Sequence, residues 1–79
     1  MEQKNIELLI EAFSNALEIP KSSVDDNLKY QGIPQWDSIT HMILISEIEN
    51  TFQIEIDSDE VLELNSFSKS KEILGKYNL

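Results

Sequence analysis

Apolar residues recur at helical spacing from the start of the chain. Ile6, Leu9, Ile10, Phe13, Ala16 and Leu17 fall in one stripe of a 3.6-residue period, with Glu7, Glu11 and Asn15 on the other side. This predicts a first helix over about residues 3–18, stopped by Pro20, because proline disfavours helical backbone at the residue before it. The periodicity then breaks down over residues 19–37. Turn formers (Pro20, Ser22, Ser23, Asp25, Asp26, Asn27, Gly32 and Pro34) alternate there with Val24, Leu28, Tyr30, Ile33 and Trp36. The stretch reads as a long connection pinned to the helices by its apolar residues, with room for a short helical turn near residues 23–28. A connection of this length inside a small domain tends to be functional.

A second helix should begin at Asp37 or Ser38, both good N-cap residues, and run to about Phe52. On a helical wheel Met42, Leu44, Ile45, Ile48 and Phe52 form its core stripe, whereas Ile43 points outward with Glu47 and Asn50. Ile54 and Ile56 flank Glu55 in a short extended link. Asp57 or Ser58 then caps a brief third helix over residues 59–64, with Asp59 and Glu60 well placed in its first turn. Asn65 or Ser66 starts a last helix on which Phe67, Ser70, Leu74 and Tyr77 share a face, with Gly75 near its end. The pattern predicts an all-α four-helix bundle, one domain over residues 1–79, with a long first loop and a short third helix.

Composition narrows what such a bundle does. The chain of 79 residues has a net charge of -9, with no cysteine and two glycines, and all six of its basic residues are lysine. No disulfide or cysteine-ligated zinc supplements the core, and no glycine-rich phosphate cradle can form. The acid surplus opposes binding to nucleic acid and to anionic membranes. No apolar run approaches the roughly 20 residues that span a bilayer, and the first residues lack the layout of a secretory signal. The expectation is a soluble, cytoplasmic monomer. Its charge is also segregated: Asp37, Glu47, Glu49, Glu55, Asp57, Asp59, Glu60 and Glu63 lie in a window that contains no lysine. Like charges crowded on a small domain repel, so the segregation points to docking by basic partners.

Few residues could carry chemistry. Asp57-Ser58-Asp59 opens like a calcium loop, but Leu62 and Ser68 stand where glycine and glutamate are required, so no metal site is expected. His41 follows Ser38 on the same helix with no third group and no oxyanion hole, so it reads as an ordinary, partly exposed helical histidine and not as a base. No catalytic residue is assigned, and an enzyme is not expected. The remaining feature is Gln35-Trp36-Asp37-Ser38-Ile39, which puts a serine hydroxyl at the start of a helix just after the long loop. Free backbone N–H groups and the helix dipole favour an anion such as a phosphate there.

In these residues the sequence resembles the acyl carrier proteins, the phosphopantetheine-binding carriers of fatty acid, polyketide and peptide synthesis. The resemblance spans nearly the whole chain: the first amphipathic helix, Asp26-Asn27-Leu28, Asp37-Ser38-Ile39, Glu47 to Phe52, and Ile54-Glu55-Ile56 before an acidic third helix. It implies that Ser38, flanked by Trp36, Asp37 and Ile39, is the attachment point of 4'-phosphopantetheine, moved from coenzyme A by a phosphopantetheinyl transferase. The arm would carry an acyl or aminoacyl group as a thioester. Loading and processing enzymes with basic patches would dock on a surface that includes Ile43, Glu47, Glu49, Asp59 and Glu60.

Three positions depart from the family pattern. Gln35, preceded by Pro34, replaces the glycine common three residues before the serine. Trp36 is a large aromatic beside the attachment site. Ile43 stands where fatty-acid carriers usually have a glutamate, which implies a carrier specialised for a dedicated pathway. The competing reading is an acidic helical regulator with no prosthetic group, which accounts for the charge but gives Ser38 no role.

Overall fold

The computed structural model describes the whole chain, Met1–Leu79. Its helices are α1 (Gln3–Leu17), α2 (Ser38–Phe52), α3 (Ser58–Glu63) and α4 (Phe67–Gly75). The expected all-α architecture and all four helices are present, and the ends agree with the sequence reading to within a residue or so. The helical turn in the connection sits earlier than expected, as a 3₁₀ turn at Lys21–Ser23. Residues 25–28 instead form a tight turn closed from the Leu28 N–H to the Asp25 carbonyl at 3.0 Å. Asp25 causes the difference, since its side chain accepts the Asn27 N–H at 2.9 Å and so competes with continued helix.

Leu9, Phe13 and Leu17 of α1 and Leu44, Ile45 and Ile48 of α2 are buried, as their stripes require, and meet Ile73 and Leu74 of α4 in one core. Two expectations fail. Ala12 is buried while Ile6, Ile10 and Ala16 are only half-buried, so the inward face of α1 is rotated slightly from the sequence stripe. Met42, placed in the core stripe of α2, is 55% exposed. It stands at the edge of the stripe, where it lines an open cleft with Val61 and Leu62 of α3.

The long connection is tied down by backbone bonds as well as by apolar anchors. Tyr30 N–H donates to the Asn65 carbonyl at 2.9 Å, and Phe67 N–H to the Leu28 carbonyl at 3.0 Å. These bonds form an isolated antiparallel bridge that fastens the loop to the start of α4. Lys71 strengthens the seam: its ammonium lies 2.7 Å from an Asp26 carboxylate oxygen and 5.1 Å from the centre of the Phe67 ring. Ser66 caps α4 by accepting the Lys69 N–H, and the buried Ser70 hydroxyl is satisfied by the Phe67 carbonyl.

Helices α1 and α2 both end on a left-handed residue, Glu18 at φ 56° and Gln53 at φ 55°. That conformation is costly for any residue with a Cβ and suits glycine. Replacing Glu18 with glycine should therefore stabilise the fold by about 0.5–1 kcal/mol, after allowing for glycine's greater freedom when unfolded. In a domain of this size each kcal/mol raises the thermal midpoint by about 4–8 °C. Circular dichroism melting checks this, and an unchanged or lower midpoint for Glu18→Gly contradicts it.

Candidate functional site

The loop–helix junction is built from local chemistry. Asp37 is the N-cap of α2, and its carboxylate accepts the Thr40 N–H at 2.8 Å. That hydrogen bond is the main cause holding the Asp37 carboxyl below its ordinary value of 3.8. Ser38, the first residue of α2, is exposed, and its Oγ takes part in none of the side-chain hydrogen bonds of the molecule. Ile39 beside it is 75% exposed. The helix start is thus partly taken: Asp37 already uses the Thr40 amide and brings its own negative charge.

Trp36 behaves differently from its exposed neighbours. It is fully buried, edge-on to Phe13 with ring centres 5.5 Å apart, and Phe13 in turn meets Phe67 at 5.2 Å. Its indole N–H donates to Nδ1 of His41 at 3.0 Å. An indole can only donate, so Nδ1 is the acceptor and the imidazole proton is on Nε2. Nε2 lies 2.8 Å from the Val61 carbonyl of α3 and donates to it. The two ring planes are inclined by only 23° with centres 6.0 Å apart, the geometry of an edge-to-edge bond within a shared plane.

His41 is therefore a correction to the sequence reading. It is 9% exposed, and both of its nitrogens are engaged. Its burial follows the helical pattern, since His41 lies three and four residues before Leu44 and Ile45 in the core stripe of α2. Its partners do not, because they come from the loop before α2 and from a carbonyl twenty residues later. The available signal was composition: the only tryptophan and the only histidine of the chain lie five residues apart across a helix start. Between α2 and α3 this arrangement leaves a cleft lined by Tyr30, Met42, Val61, Leu62 and Leu64, with Ser38 at its edge.

The residues expected at a docking surface separate into two groups. Ile43 is 52% exposed, as its outward placement on the wheel requires. Asp59 is exposed and Glu47 half-buried, and neither forms an ion pair. Glu49 and Glu60 have structural bonds instead. Glu49 accepts the Ile56 N–H at 2.9 Å and so fixes the link after α2. Glu60 accepts the Tyr77 hydroxyl at 2.5 Å, which raises the Tyr77 pKa and ties α3 to the C-terminal segment. Asp57, at the N-cap of α3, makes no capping bond with its side chain. The two ion pairs of the molecule, Lys69–Glu72 and Lys71–Asp26, lie outside the acidic window. No group of acidic or histidine side chains is gathered closely enough to hold a metal ion. No helix is long and apolar enough to cross a membrane.

The family model for the phosphopantetheine attachment site matches residues 7–69, from the second turn of α1 into α4. The chain belongs to this family, that of the acyl and peptidyl carrier proteins, whose members carry a covalently attached 4'-phosphopantetheine group. It is a phosphopantetheine-bearing carrier, of a kind that holds intermediates and leaves catalysis to other enzymes. No curated protein and no solved structure gave a significant match to the chain. The junction suits such a group, since the free, exposed hydroxyl of Ser38 stands at a rigid helix start with no internal bond to break.

The Asp37 cap gives a pH dependence whose sign follows from its lowered pKa. The carboxylate form is favoured by folding, so its contribution to stability is fully present above the ordinary value of 3.8 and is lost as the pH falls through the lower folded value. Urea unfolding of the wild type and Asp37→Ala should show their gap at neutral pH and its closure in strong acid. A gap that persists or widens below that range contradicts the assignment.

Proposed function

We propose that the protein carries an acyl intermediate as a thioester on a 4'-phosphopantetheine arm joined to Ser38 and presents it to partner enzymes. The observation that supports this most directly is Ser38 itself: an exposed serine with an unbonded hydroxyl, first in α2, inside the span that matches the family. Attachment forms a phosphodiester on Oγ, with 3',5'-adenosine bisphosphate leaving coenzyme A and the hydroxyl proton passing to the transferase or to water. Asp37 fixes the helix start and Trp36 anchors the loop, so the hydroxyl is offered in one geometry. The protein supplies position and an address; the reactions on the cargo belong to its partners.

The address combines charge and apolar surface. Ile39, Met42, Ile43 and Leu62 are each more than half exposed around Ser38. Glu47, Asp59 and Glu63 supply nearby negative charge that no lysine of the chain neutralises. A partner that fits this surface has an apolar centre with lysine or arginine at its edge. Ile43 in place of a glutamate shifts the balance towards apolar contact, which supports a specialised carrier.

Two measurements test this reading. Incubation with coenzyme A and a broad-specificity transferase should add one phosphopantetheine by intact mass, and Ser38→Ala should gain nothing. An unmodified wild type, or a modified Ser38→Ala, rejects the attachment site and leaves the acidic regulator as the better account. Separately, general fatty-acid-synthesis enzymes should load this carrier poorly, and Ile43→Glu should raise their kcat/KM about tenfold, the effect of one interfacial charge contact worth about 1.4 kcal/mol. Loading of the unmutated protein at the rate of a fatty-acid carrier would overturn the specialisation.

A further inference from the structure

The cleft between α2 and α3 has a closed inner end, and what closes it is a bonded side chain. Its volume is about 220 Å³, below the roughly 300–1,000 Å³ of pockets that bury drug-sized molecules. Its mouth is formed by the exposed Met42 and Leu62, and its inner end by His41 and Leu64, which are buried. An aliphatic wall can rotate aside with little loss, but this one is bonded on both sides. Moving His41 would leave the Trp36 indole N–H and the Val61 carbonyl without partners, and buried polar groups left unpaired are strongly disfavoured. Behind His41 lies Trp36, fully buried against Phe13, so no empty space continues inward. The other wall is held as well, since Tyr77 donates its hydroxyl hydrogen to Glu60 and accepts the Asp57 N–H at 3.4 Å, both at the start of α3.

We propose that the Trp36–His41–Val61 bridge determines the cargo class: it closes the cleft, so that the acyl group seated there is short and apolar. The inference rests on the carrier reading above. Ser38 lines the cleft edge, which gives a group carried on that serine direct access to it. The lining disfavours charged or aminoacyl cargo, because both nitrogens of His41 are already bonded and, apart from Ser38 at the edge and Asn65, the remaining walls are Met42, Val61, Leu62, Leu64 and the Tyr30 ring. A long chain would have to break the bridge or leave its end in water. Trp36 and His41 are thus specificity-determining residues, beyond their part in holding the loop before Ser38.

The test uses the intact protein charged by the transferase from acetyl-, butyryl-, hexanoyl-, octanoyl- and dodecanoyl-coenzyme A. One readout is the rate at which hydroxylamine cleaves the thioester. The other is the nuclear magnetic resonance signal of the indole N–H, which is unique because Trp36 is the only tryptophan. Protection should rise about threefold from acetyl to butyryl or hexanoyl, as expected if the cleft-bound form is the major population, and rise no further with longer chains. The indole signal should stay in place throughout. His41→Ala should extend protection to octanoyl, while His41→Gln, which keeps one acceptor and one donor, should restore the wild-type limit. Trp36→Phe deletes the indole donor together with part of the ring behind His41 and should also relax the limit, which keeps the test decisive if His41→Ala does not fold. Stronger protection of octanoyl than of hexanoyl in the wild type, with a displaced indole signal, would overturn the proposal. So would a limit unchanged in both His41→Ala and Trp36→Phe. A protein that takes no adduct by mass fails the carrier reading itself, whereas one that is charged but shows no dependence on chain length refutes the closed cleft alone.

Discussion

The Trp36 indole is buried with one hydrogen to give, and His41 is the group that takes it. A buried donor left unpaired would cost roughly 1–3 kcal/mol, a large share of the stability of so small a domain. The bond therefore constrains everything near it. It holds the end of the long loop against the first turn of α2, sets the imidazole tautomer, and through Nε2 fixes the Val61 carbonyl of α3. Loop, second helix and third helix are brought into register by two bonds on one ring. Because Asp37 and Ser38 follow Trp36 directly, the exposed serine takes its position from a buried tryptophan.

The charges are organised to the same end. Lysines that make ion pairs do so where the loop and α4 need support, at Lys71 with Asp26 and within α4 at Lys69 with Glu72. The acids of α2 and α3 are left without cationic partners inside the chain. Surface ion pairs contribute little stability, so their absence there costs the fold less than the crowding of like charge does. Two of these acids, Glu49 and Glu60, offset part of that cost by accepting hydrogen bonds from the Ile56 backbone and from Tyr77. The result is an acidic face whose negative charge is partly built into the scaffold and partly unpaired.

Much of this was legible in the sequence because it depends on neighbours along the chain. Helical periodicity located α1 and α2, proline stopped the first, and the Asp-Ser pair marked the start of the second. The outward position of Ile43 followed from the same wheel. What escaped the sequence depends on contacts between distant segments. Met42 lies at the edge of the core stripe of α2 and is exposed, because α2 and α3 leave a cleft open beside it. His41 shares the stripe of Leu44 and Ile45, yet its two bonds escape the sequence because its partners are a loop indole and a carbonyl of another helix. The helical turn expected near residues 23–28 gave way to a tight turn because Asp25 accepts the Asn27 backbone N–H.

The two ends of the chain meet. Glu2 N–H donates to the Leu79 carbonyl at 3.1 Å, and the Asn5 amide reaches the same oxygen at 3.3 Å. This junction lies at the start of α1, whereas Asp37 and Thr40 share a groove with Asn15 to Glu18 at its other end, about 20 Å away along a helix of this length. Topologically the bundle is close to a closed loop with its seam on the side remote from the serine. Polypeptide joined to either end would leave from that seam, and the surface around Ser38 would stay open. The same geometry therefore suits a domain that works alone and one strung between others, with no redesign of the face around Ser38.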